Sequence, residues 1–237
     1  MIVAMLSAMT NPAGGLAYHW RALRHGDRWR PFLEPLHAWL DAWQPASPHL
    51  LLVGPSAGWC LPDALFRRFA ALDVLEPDPL AWGLLSRRLR ALGRPARRHA
   101  VDCLAPDPGA LAPLARDFAE HAILFCNVLG QARWLHPALD DPDRLATWRA
   151  GLAAALDGRE WATFHDRLSG TLRPRLPEPA ASDEPLADER LATLFYDDDG
   201  ELLSHGTDGL FPGRPRRWFA WEIAPGRHHL IEAVRHD

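Results

Sequence analysis

The stretch "HLLLVGPSAGWCLP" (residues 49–62) decides how the rest of the chain is read. Its apolar residues Leu50–Val53 run into Gly54-Pro55-Ser56-Ala57-Gly58, and "LPDALFRRFAAL" (61–72) then has helical spacing with Pro62 in its first turn. A buried strand, a glycine-bearing turn and a helix can serve two chemistries. In one, Gly54-x-Ser56-x-Gly58 is a nucleophile elbow and Ser56 attacks an acyl group. In the other, the turn and the helix N-terminus behind it cradle a nucleotide-type ligand.

The elbow needs an oxyanion-hole loop from an earlier strand. The residues before Ser56 read as helical and contain no His-Gly-Gly loop. A nominal triad would take an aspartate from 197–199 and His228 or His229, but the aspartates fall in an irregular segment and the histidines in a strand pattern. A dinucleotide fingerprint needs a third glycine for close helix–strand packing, and Trp59 stands in its place.

Outward from this stretch, strands and helices alternate. "LDVLE" (72–76), "RRHAVD" (97–102), "HAILFCNVLG" (121–130, with its exit loop) and "EWATFHDRLSG" (160–170) read as strands. Between them lie the helices "PDPLAWGLLSRRLRALG" (77–93), closed by Gly93, "PGALAPLARDFAE" (108–120) and "DPDRLATWRAGLAAALDG" (141–158). Such alternation implies an α/β fold with a doubly wound, mostly parallel sheet and right-handed crossovers. "RRWFAWEIA", a "PGR" turn and "HHLIEAVRH" (216–236) add a C-terminal antiparallel hairpin. Residues 171–215 interrupt the pattern with prolines, glycines and one short helix (187–196). N-terminal helices precede the sheet over 16–43, with a break expected at "RPF" (30–32), and "NPAGG" closes a loop over 1–15. The expected organisation is an N-terminal helical cap (1–48) and an α/β domain (49–237) carrying a loop-rich insertion (171–215).

Five alternating units ending in an antiparallel hairpin resemble the class I S-adenosylmethionine-dependent methyltransferases, a Rossmann-like family, over roughly 49–237. "LLLVGPSAG" (50–58) is similar to the family's first motif, and "ILFCNVLG" (123–130) to its fourth-strand motif. The resemblance implies S-adenosylmethionine as cofactor, held by Gly54, Ser56, Gly58 and Asn127. It gives Glu76 the ribose hydroxyls, at a partly open strand end, and Asp102 the adenine amine. The motif departs from the family's in three places: Leu52 replaces an acidic residue, Ser56 replaces the middle glycine, and Pro55 removes a backbone donor. A methyltransferase-fold protein that serves as a non-catalytic binding or partner module is therefore the alternative, and a serine hydrolase using Ser56 the second alternative.

Acceptor-side candidates follow from position. Asn127 leaves the fourth strand, and its surroundings are not the Asn/Asp-Pro-Pro-aromatic motif of many enzymes that methylate amino groups, which argues for a small-molecule acceptor over a nucleic-acid base. His165 and Asp166 end the fifth strand, while His205 and Asp208 lie in the glycine-rich "SHGTDGLFPG" (204–213). His205 is the expected proton acceptor, with Asn127 and Asp166 as further catalytic candidates. Tyr18, His165 and Asp208 are expected to bind substrate, and 171–215 to form the acceptor side of the pocket. No His/Asp spacing resembles a recognised metal site, and no metal is expected.

Composition narrows the remaining classes. All 26 basic side chains are arginine, which excludes phosphate-loop, Schiff-base and kinase lysines. A net charge of −4 without clustered basic and aromatic residues gives no footprint for nucleic acid. Three scattered cysteines imply a reducing compartment, and no apolar run approaches membrane-spanning length. "MIVAMLSAMT" lacks a basic n-region, so a cytoplasmic location is expected.

Overall fold

Residues 50–53 lie in the middle strand of the parallel part of the sheet. In a computed structural model, which describes residues 15–107, 109–177, 180–198 and 200–236, β1 (His49–Val53) pairs in parallel with β2 (Ala71–Leu75) and with β4 (Ala122–Cys126). β3 (Arg97–His99) flanks β2, and β5 (Trp161–Gly170) flanks β4. β9 (Arg227–His236) then runs antiparallel between β5 and β8 (Arg216–Ala224). The short β6 (Ala181–Ser182) pairs with β8, and β7 (Leu202–Ser204) with the end of β5. The order β3-β2-β1-β4-β5-β9-β8-β6 is the doubly wound sheet with a terminal hairpin that the alternation implied.

Burial on both faces explains why β1 reads as a continuous apolar run. Leu50 and Leu52 pack with Phe66, Leu85 and Leu89, on and around α2 (Asp63–Arg68) and α3 (Pro79–Ala91). Leu51 and Val53 face the opposite layer, with Leu114 of α4 (Ala112–Arg116) and Trp148 and Leu152 of α6 (Pro142–Ala155). Two further helices are α5 (Ala132–Leu135) and α7 (Asp188–Phe195).

The expected break at 30–32 does not occur. α1 (Gly15–Asp41) passes through Pro31 and Pro35 and departs from helical angles at His25 (φ −121°, ψ 19°). Both prolines are exposed, so the carbonyls they deprive of donors face water. The opposite face buries Trp29, Phe32, Leu36 and Leu40. Phe32 stacks on Trp221 of β8 at 4.8 Å, and Trp29 donates its indole N–H to the Ile223 carbonyl at 3.1 Å. The N-terminal segment thus shares its core with the sheet. The expected loop over 1–15 lies outside the described residues except for Gly15.

Other boundaries shift for local reasons. β3 ends at His99, so Asp102 lies beyond the strand. The helices expected at 61–72 and 108–120 shrink to 63–68 and 112–116. The hairpin turn holds only Pro225 and Gly226, because Ala224 pairs with Arg227. Among the described residues, no helix is long and apolar enough to cross a membrane.

A buried ionic knot fastens the C-terminal half. The register of β5 against β9 slips between Asp166 and Leu168, at Arg167, whose side chain is fully buried. Arg167 and Arg216 both donate to Glu232. Arg167 also reaches the Leu186 carbonyl and Asp188, while Arg216 holds the carbonyls of Leu210 and Phe211. Removing one member of such a group strands the others' charge. Glu232→Ala is expected to cost about 3–5 kcal/mol in urea unfolding, and a loss below about 1 kcal/mol would mean that water satisfies the arginines.

Candidate functional site

β1 and β4 are neighbours whose connections leave in opposite directions, so a crevice opens beyond their carboxyl ends. Two tight approaches shape it. Gly54 has φ +62°, and a Cβ there would lie 2.7 Å from Cβ of Val128. Gly58 has φ +75°, and a Cβ would meet Leu85 of α3 at 2.9 Å. Arg88 pins the turn by donating to the carbonyls of Gly58 (2.6 Å) and Leu61 (2.8 Å) and to Asp63.

Ser56 holds a left-handed conformation (φ +53°) that costs a non-glycine residue free energy. Glu76 stabilises it: Oε2 accepts the Ser56 N–H at 2.7 Å, and Oε1 accepts the Asp78 N–H at 2.9 Å. Asp78 in turn caps α3 through the Leu80 N–H at 2.8 Å. Glu76 is therefore buried, not at the partly open strand end expected, because the turn folds over it. Burial raises its pKa to about 7, aided by Asp78, while the two N–H donors and Arg98 oppose the shift. Ionising it thus costs stability as pH rises through that value.

The crevice encloses about 770 Å³, part of it open to solvent. Tyr18, Gly54, Ser56, Glu76, Asn127 and Phe164 are among its walls, and among the described residues its lining holds two carboxylates, Glu76 and Asp78, and no basic side chain. Tyr18 packs beside Cys60, its hydroxyl 3.4 Å from Sγ, and burial raises the phenol's pKa well above its usual value. Behind Asp78, His19 accepts the Trp59 indole N–H at 3.0 Å.

Asn127 borders the crevice, but its amide is spent elsewhere. Nδ2 donates to Asp166 Oδ2 at 3.0 Å, and Oδ1 accepts the Asp166 N–H at 2.9 Å. Asp166 also accepts from Nδ1 of His229 at 2.7 Å. Burial alone would raise the Asp166 pKa, but His229, His205 and Asn127 hold it down at about 2. His205 approaches the same group and borders a different, smaller cavity with Arg133 and Trp134.

The remaining candidates are not brought together. His165 is fully buried against Thr163 and Glu232, and burial lowers its pKa to about 3. Asp208 pairs with Arg149 at 2.7 Å. Asp102 is mostly exposed and lies 3.3 Å from His136. None of the three lines the crevice, nor does any described residue of 171–215; β7 folds back along the end of β5. Asp78 and Gln131 were missed as wall residues; the "EPDP" run around Asp78 carries a helix-cap signal that could have found the first. Among the described residues, no side chain hydrogen-bonds to the Ser56 hydroxyl, and His229 is committed to Asp166, so the elbow triad is not assembled.

No protein-family model and no curated protein matches the sequence. Among solved structures, the chain is similar to magnesium protoporphyrin IX methyltransferase from Synechocystis PCC 6803, at 13% identity over 99% of this chain and 96% of that one, with a TM-score of 0.45. It is also similar to the N-methyltransferase NodS from Bradyrhizobium japonicum WM9, at 16% identity over 87% and 97%, with a TM-score of 0.43.

Two outcomes follow from the geometry. A fluorophosphonate probe should leave no adduct at Ser56 by intact mass, and a stoichiometric adduct there would restore the elbow. Glu76→Ala should destabilise the fold by about 1–3 kcal/mol, because two backbone N–H groups lose their acceptor; an unchanged denaturation midpoint would show that water replaces the carboxylate.

Proposed function

We propose that the crevice binds S-adenosylmethionine and that the protein transfers its methyl group to a small-molecule acceptor. One observation carries this reading: at the switch point of the sheet, a buried carboxylate stands beside a glycine turn in a pocket that has acids and no base. Each Glu76 oxygen accepts one backbone N–H, which leaves lone pairs for a ribose diol. Gly54 allows the backbone to approach a ligand closely, and Tyr18 and Phe164 supply apolar walls that exclude water. Two carboxylates without a basic side chain suit a sulfonium and an ammonium group. The cofactor would supply an electrophilic methyl group; the chain's part is alignment, which accounts for much of the catalysis in a transfer of this kind. Asn127 serves by holding the β4 exit in place through Asp166.

A second reading, a non-catalytic binding module, is favoured by the turn's own hydrogen bonds. Gly54 N–H is bonded to Leu75, Ser56 N–H to Glu76 and Gly58 N–H to Pro55, and Pro55 has no donor. A carboxylate entering the crevice therefore meets few free donors.

Calorimetric titration separates the two. Methyl transfer requires one S-adenosylmethionine per chain, with Glu76→Gln weakening it by about tenfold or more, the equivalent of a charge-assisted hydrogen bond at about 1.5–3 kcal/mol. Because the ionised carboxylate is the better acceptor, the wild-type advantage over Glu76→Gln should shrink as pH falls below about 7. A folded wild-type chain that binds neither S-adenosylmethionine nor S-adenosylhomocysteine would end the cofactor reading.

A further inference from the structure

Behind the crevice, β5, β9 and the turn after β7 converge on a second polar centre. Asp166, His205 and His229 each offer one ligand-type atom, and these atoms all lie within 4.8 Å of one another. Asp166 and His205 are buried and His229 is partly so, so this is not a cluster of solvated surface charges.

The surroundings fix each donor. Nδ1 of His205 faces the Gly130 carbonyl at 2.9 Å, and a carbonyl only accepts, so Nδ1 carries a proton and Nε2 is the nitrogen left to face a ligand. Metal-bound histidines are commonly oriented in this way, by donating the other ring N–H to a carbonyl. Nε2 faces the Ser169 hydroxyl at 2.9 Å, which adds an oxygen next to the trio. The Asp166 carboxylate is aimed by the Asn127 amide at 3.0 Å. A Cβ at Gly130 would lie 2.7 Å from the Asp166 carbonyl oxygen, so the carbonyl that orients His205 is pressed against the strand bearing Asp166.

We propose that Asp166, His205 and His229 form a binding site for a divalent first-row transition-metal ion, best matched to zinc, with water or the Ser169 hydroxyl as a further ligand. Two imidazoles and one carboxylate suit zinc better than magnesium or calcium, which prefer oxygen. Three protein ligands leave a tetrahedral position open. Where His229 coordinates through Nδ1, its proton moves to Nε2, the imidazole stays neutral, and the hydrogen bond to Asp166 is exchanged for the two metal bonds. The site is independent of the cofactor reading; it meets the crevice through Asn127, which lines that space and bonds Asp166.

A second Asp–His pair serves as an internal control. His99 and His121 both bond Asp73, at 2.5 and 3.0 Å, but the Arg97 guanidinium stands 3.2 Å from the same carboxylate and would repel a cation. Equilibrium dialysis of the full chain should find one zinc per chain and no magnesium at equal concentration. His205→Gln and His229→Gln should each weaken zinc by about a hundredfold or more, at the upper end of what perturbing a metal site costs, while His99→Gln and His121→Gln should not. If a glutamine variant fails to fold, the wild-type chain still decides. Cobalt should give visible d–d bands of four-coordinate intensity, and zinc should protect His205 and His229, but not His99, from diethyl pyrocarbonate, mapped by peptide mass. Absence of stoichiometric zinc, zinc retained in both folded His205 and His229 variants, or protection centred on the Asp73 pair would each overturn the site.

Discussion

Asp166 is the residue on which the geometry of both polar centres depends. Its carboxylate and backbone bind Asn127 at the β4 exit, His229 on β9 and the Thr207 hydroxyl in the turn after β7. Asn127 sits at φ +56°, a conformation that persists in a non-glycine residue only when its surroundings determine it. The two hydrogen bonds between its amide and Asp166 do so. The wall formed by Asn127 and Val128 is thus positioned by residues that never face the crevice. The two donors on its carboxylate, His229 and Asn127, together with nearby His205, also offset the desolvation that would otherwise protonate it.

The opposite wall is held by a comparable device with opposite electrostatic consequence. Glu76 accepts N–H groups from both sides of the crevice mouth, whereas Asp166 accepts largely from side chains. Backbone donors are dipoles, not cations, and they compensate burial less completely. This difference explains why burial leaves Glu76 near neutrality in pKa while Asp166 stays strongly acidic. The same sheet edge therefore carries one carboxylate poised to respond to a ligand and one locked in its ionised form.

Much of the architecture was legible because it rests on periodicity. β1 falls at 49–53 as read, and the hairpin is recognisable from its alternation. What escaped depends on partners remote in sequence. β6 and β7 are two and three residues long, and they exist only because β8 and β5 offer edges to them. Asn127 reads the same whether its amide faces a ligand or an aspartate 39 residues away. His165 and Asp166 were grouped as neighbours, although adjacent strand residues point to opposite faces. That rule separates them as observed: His165 in the knot around Glu232, Asp166 at the hub. Residues 166, 205 and 229 share no linear spacing that a metal motif would require.

The absence of lysine acquires a structural meaning once the arginines are located. Arg68 caps the end of α1 through the carbonyls of Leu40 and Trp43, and Arg159 joins those of Leu114 and His121. Arg98 holds the carbonyls of Glu76 and Pro77, and Arg88 those of Gly58 and Leu61. Each guanidinium presents five donors in a planar fork, so one side chain can satisfy two or three carbonyls of an irregular segment, which a lysine ammonium matches less well. Arg88 and Arg98 lie close to the crevice, yet both aim their donors into its supporting loops. The cations are consumed in shaping the walls, and the carboxylates that remain, Glu76 and Asp78, set the polarity of the space those walls enclose. The cationic ligand proposed for the crevice would thus owe its fit to how the loops are held.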